Sequence, residues 1–92
     1  MSKHLVTVTL TVEVTLDDSK FTPDFFAEYE ANFAPYGTVA DHAEHLAWLH
    51  ATGVEDLDTS LNPFVEGYGP INDFGIRAVT KDTEVEYEGL TS

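Results

Sequence analysis

The stretch Leu5-Val6-Thr7-Val8-Thr9-Leu10-Thr11-Val12-Glu13-Val14-Thr15-Leu16 decides how the rest of the chain is read. Val or Leu fills every even position from 6 to 16, while Thr7, Thr9, Thr11, Glu13 and Thr15 fill the odd ones. Strict alternation puts successive side chains on opposite faces of an extended backbone, so the spacing predicts a long strand with one apolar and one polar face. Burying six apolar side chains contributes roughly 1.5–3 kcal/mol each before chain entropy is subtracted. The strand is therefore expected to supply much of the core. Asp17-Asp18-Ser19 ends it with turn-forming side chains.

Two helices are predicted next. Thr22 is placed to cap the first, Pro23 fits its first position, and Asp24 meets the positive end of its dipole. Phe21 and Phe26 are spaced as a hydrophobic staple across that cap, and Phe25, Phe26, Tyr29 and Phe33 share one broad side. This helix ends before Pro35-Tyr36-Gly37. Thr38 caps the second helix with Asp41 three residues on, and Gly53 stops it. Val39, Ala43, Leu46, Leu49 and His50 lie on one side, whereas Asp41, Glu44, His45 and Trp48 group on another. Helices joined so closely are expected to pack as an antiparallel hairpin.

Residues 54–75 are rich in Asp, Gly, Asn and Pro and read as a long loop with one short extended piece around Phe64-Val65. A loop of that length in a small domain is often functional. Strand periodicity returns with Ile76 and Ala78 in one phase and Val85 and Tyr87 in the other. The change of phase requires a turn near Lys81-Asp82 or a bulge within one strand, and the hairpin is the preferred reading. Glu84, Glu86 and Glu88 fall opposite Val85 and Tyr87, where they are expected to form a solvent-facing row. The order β-α-α-β-β defines a single small α+β domain over residues 1–92, with an antiparallel sheet of two or three strands and a helical hairpin.

Charge bounds what such a domain binds. The 92 residues carry 17 Asp and Glu against 4 Lys and Arg, a formal net charge of −13, and residues 21–76 contain no Lys or Arg. With 42% hydrophobic and 12% aromatic residues, this charge belongs on a folded surface rather than a disordered tail. A field of one sign repels nucleic acid and anionic membrane and attracts basic proteins. The absence of cysteine excludes a disulfide framework and thiolate chemistry. No segment approaches the roughly 20 apolar residues that span a bilayer, so an intracellular protein is expected.

Several constellations bear on chemistry. His42 and His45 stand three apart on the second helix beside Asp41 and Glu44, a spacing that can converge two imidazoles on one divalent metal. Asp56, Asp58, Ser60 and Asn62 echo the first four ligand positions of a calcium loop, but Leu61 stands where that loop needs Gly and Gly67 where it needs Glu. Gly67-Tyr68-Gly69-Pro70 lacks the Lys-Ser/Thr of a phosphate loop. No nucleophile, base and orienting group fall together, so no enzyme and no cofactor are expected. Trp48 lies off the apolar side of its helix. It either packs on the sheet or the long loop, or stands as an aromatic anchor ringed by Asp41, Glu44 and His45.

The run His45-Leu46-Ala47-Trp48-Leu49-His50-Ala51-Thr52-Gly53-Val54, then Phe64-Val65-Glu66-Gly67-Tyr68-Gly69-Pro70 and Asp73-Phe74-Gly75-Ile76, resembles small acidic proteins of phages and prophages. The resemblance covers about half the chain and carries no assigned chemistry. It implies a mobile-element origin, and small acidic phage proteins include anti-CRISPR inhibitors that occupy nucleic-acid-binding surfaces. The expectation is a non-enzymatic inhibitor in the host bacterial cytoplasm that binds a basic surface of a defence protein, a CRISPR effector first, without binding nucleic acid or membrane itself. The residues expected to carry the contact are Glu13, Asp41, Glu44, Trp48, Glu55, Asp56, Asp58, Glu84, Glu86 and Glu88. An accessory or assembly module contacting through Trp48 and the aromatic helix is the competing expectation, with a divalent-metal binder third. A free strand edge also leaves room for a homodimer.

Overall fold

The computed structural model describes residues 1–91 as an α+β fold. Strand β1 (His4–Thr15) leads through a 3-10 turn at Asp18–Lys20 to helices α1 (Pro23–Asn32) and α2 (Val39–Ala51). Two short strands, β2 (Phe64–Val65) and β3 (Gly69–Pro70), precede a second 3-10 turn at Ile71–Phe74 and the C-terminal strand β4 (Arg77–Leu90). The helix boundaries follow their caps. Thr22 Oγ1 accepts from the Phe25 N–H at 3.2 Å, and Thr38 Oγ1 accepts from the Asp41 N–H at 3.1 Å. Gly53 adopts φ +75° just after α2, where a left-handed residue closes the helix.

β1 and β4 pair antiparallel along almost their whole length as a two-stranded ribbon, while β2 and β3 form a separate small pair. The C-terminal segment is thus one long bulged strand and not the hairpin preferred from its periodicity. Register slips between Thr11 and Val12, whose partners are Asp82 and Thr80, so Lys81 is the extra residue that reverses the phase. A second irregularity between Leu5 and Val6 skips Glu88, beside Gly89 at φ +124°.

The expected core was also misplaced. Helix α2 covers only the proximal end of the ribbon, where Val12, Val14 and Leu16 pack against the core and Ala78 is fully buried. Val6, Val8 and Leu10 lie beyond that cover and are exposed. The molecule is 52 Å long but only 28 × 20 Å across, because the distal ribbon projects from the globule. The missing apolar area comes instead from the segment read as a functional loop: Leu57, Val65, Tyr68 and Ile71 are buried with Phe21, Tyr29, Leu46, Leu49, Ile76 and Ala78. Its Gly, Pro and Asn residues are turns that fold a hydrophobic plug back onto the helices.

Gly67 shows how tightly that plug fits. Its φ is +94°, and a Cβ added there would stand 2.5 Å from Tyr29 Cε2. Gly67→Ala is expected to cost at least about 1 kcal/mol from the backbone alone. A urea titration would show the loss as a lower midpoint with an unchanged slope.

Candidate functional site

Cross-strand partners share a face of an antiparallel pair, so the register sorts the ribbon's side chains. Thr7 opposes Glu86, Thr9 opposes Glu84 and Thr11 opposes Asp82, with Glu13 further along the same face. On the other face Val6 opposes Tyr87, Val8 opposes Val85 and Leu10 opposes Thr83. The projecting arm therefore has an acidic, Thr-lined face and an apolar one. Carboxylates two residues apart on a strand are about 6.6 Å apart. Lys81 reaches Glu13 at 3.7 Å, leaving Asp82, Glu84 and Glu86 without an ion-pair partner among the described residues.

The expected row Glu84, Glu86, Glu88 is thus corrected at both ends. Glu88 falls at the register irregularity and has no cross-strand partner, while Asp82 joins Glu84 and Glu86. The signal for Asp82 was its even number, shared with 84 and 86. A turn placed at Lys81-Asp82 concealed it.

The other expected contact residues sit on different elements. Asp41, Glu44 and Trp48 line an open cleft of about 420 Å³ on α2, together with Tyr36 and His45. Trp48 is 57% exposed there, so the core contact that its size suggested is not made. Glu55, Asp56 and Asp58 follow α2. Asp56 Oδ1 accepts from the Asp58 N–H at 3.0 Å, and Asp58 pairs with Arg77 at 3.7 Å. Asn62 Oδ1 accepts from the Asn72 N–H at 2.8 Å, which ties the calcium-like run into the plug instead of opening it as a ligand loop. The ten expected residues are therefore divided among ribbon, cleft and loop.

His42 and His45 do not converge. His42 is completely buried, with Nε2 3.0 Å from the Tyr36 carbonyl and Nδ1 2.7 Å from the Tyr68 hydroxyl. A carbonyl only accepts, so Nε2 carries the proton and Nδ1 accepts from Tyr68, making a satisfied neutral imidazole. Phe26 stacks on its ring at 5.6 Å and Tyr29 meets it edge-on at 4.7 Å, so α1 and α2 join around this residue. Burial lowers the His42 pKa, and burial likewise raises that of Tyr68. His45, in the cleft, is also lowered by burial.

The sign of the His42 effect is fixed by linkage. Unfolded chains protonate near the ordinary value of 6.5 while the folded imidazole resists, so stability present above that pH is lost as pH falls below it. Urea unfolding between about pH 7 and pH 5 should show a steeper decline for the wild type than for His42→Asn, which is less stable but lacks the titrating group.

No family model, curated protein or solved structure matches the chain. Among the described residues, no helix is long and apolar enough to cross a membrane.

Proposed function

We propose that this protein is a phage-encoded anti-defence inhibitor of the anti-CRISPR kind, which lays an acidic β-ribbon into a basic nucleic-acid-binding cleft of a host effector or nuclease. The observation that carries the reading is the arm's acidic face, where Asp82, Glu84 and Glu86 alternate along one strand and project beyond the globule, none of them in an ion pair among the described residues. A row of carboxylates on the ribbon competes for the Lys and Arg side chains that otherwise neutralise phosphates. The resemblance to small phage proteins supports the host bacterial cytoplasm as the place of action. The inhibitor is non-enzymatic and needs no cofactor.

Displacement is the test. A labelled nucleic acid bound to the candidate effector should be released by the wild-type chain at low salt and retained at high salt, because competition between exposed charges is screened. Unchanged nucleic-acid binding at saturating protein would remove the proposed mode.

Exposed Trp48 favours a second reading, a protein-binding accessory module. Such a contact would vary little with salt and be lost in Trp48→Ala, a change with little effect on folding because the ring lies outside the core.

A further inference from the structure

We infer that the apolar face of the projecting ribbon is a homodimer interface, and that its occupant is the same face of a second copy of this chain. Val6, Val8, Leu10, Val85 and Tyr87 are 44%, 57%, 37%, 67% and 59% exposed. Their register makes them a continuous strip of cross-strand neighbours. An isolated two-stranded ribbon is at best marginally stable in water and needs a layer against its hydrophobic face. Helix α2 supplies that layer only at the proximal end.

Charge and area select the occupant. The strip's cross-strand pairs, Val6–Tyr87, Val8–Val85 and Leu10–Thr83, contain no charged side chain, whereas Glu84 and Glu86 point away on the opposite face. At its end His4 Nδ1 lies 3.0 Å from the Tyr87 hydroxyl, satisfying the one polar atom of that ring. A neutral apolar strip is complementary to itself, and a two-fold axis near the Val8–Val85 pair would match each strip to its counterpart. Covering both strips removes on the order of 1,000 Å² of surface from water, the lower limit for a specific interface.

The net charge of −13 does not forbid this pairing. Sheets packed face to face are about 10 Å apart, so the outward carboxylate rows would be roughly 20 Å apart, more than twice the Debye length of about 8 Å at physiological salt. The dimer would carry one acidic face on each side. This inference is independent of what the acidic faces bind.

Sedimentation equilibrium of the intact chain tests it. The expected mass is twice 10.2 kDa at high micromolar concentration, with association maintained or strengthened as salt rises. Val8→Asp with Val85→Asp should raise the monomer–dimer Kd by a factor on the order of 100, since each buries an unpaired charge. The chain has no cysteine, so Val8→Cys alone should give a disulfide-linked dimer on mild oxidation while Thr9→Cys, on the acidic face, should not. That comparison holds even if the double variant fails to fold. A wild type that stays monomeric, a dimer unaffected by a folded double variant, or equal cross-linking at positions 8 and 9 would each overturn the interface.

Discussion

Leu57→Ala is expected to lower the free energy of unfolding by about 2–5 kcal/mol, while Leu10→Ala in the opening strand costs less than about 1 kcal/mol in the monomer. The contrast reverses what the two segments suggest as sequence. Leu57 follows the acidic Glu55-Asp56 pair, yet its side chain is completely buried. The Leu57 N–H lies 3.3 Å from His50 Nδ1, and its carbonyl accepts from the Ala78 N–H at 3.2 Å. Removing the side chain leaves a cavity that this backbone tethering keeps open, which places the cost toward the upper part of the range. Leu10 already faces water on the projecting ribbon. Paired urea titrations below the concentration at which copies associate would measure the difference. Equal losses at the two positions would put the core back in the ribbon.

Charge reversal on the arm carries the largest expected effect on binding. In the proposed mode, changing Asp82, Glu84 and Glu86 together to Lys converts three attractions for a basic cleft into three repulsions. Exposed charge pairs are individually worth a factor of a few, so the combined change should weaken binding roughly 100-fold, and the corresponding Gln variant roughly tenfold. The same substitutions should leave stability nearly unchanged, since these side chains are exposed, make no ion pair among the described residues, and lose only the exposed hydrogen bond from the Thr83 N–H to Asp82 Oδ1. Reversal of Glu55 and Asp56 is the control away from the arm, and its effect is compared per charge reversed, two there against three on the arm. A larger effect from the control would move the contact to the segment after α2.

Local signals were legible where they act through neighbouring residues. Thr22-Pro23-Asp24 and Thr38 fixed the starts of both helices because a cap is a short-range hydrogen bond. The alternation from Leu5 to Leu16 likewise announced a strand. Periodicity reports which face is apolar but not how far the cover extends, and so it could not show that α2 stops short of Val6, Val8 and Leu10. The plug was hidden for the opposite reason: Leu57, Val65, Tyr68 and Ile71 are separated by turn residues and follow no single period. His42 was hardest to place, since its two partners are a backbone carbonyl six residues earlier and a hydroxyl 26 residues later. On the acidic face of the ribbon, Glu84 and Glu86 stand where strand phase placed them. Asp82 was missed and Glu88 misplaced because each adjoins a bulge.

The most direct measurement of the proposed function is capture from the lysate of a CRISPR-carrying bacterial host at low and high salt, using the wild-type chain and the Asp82/Glu84/Glu86→Lys chain as parallel baits and identifying retained proteins by mass spectrometry. A nucleic-acid-binding defence effector held by the wild type at low salt, released at high salt or by added nucleic acid, and lost from the reversed-charge bait is the predicted result. A partner without a basic nucleic-acid site, held equally by both baits at high salt, would contradict the acidic-ribbon mechanism.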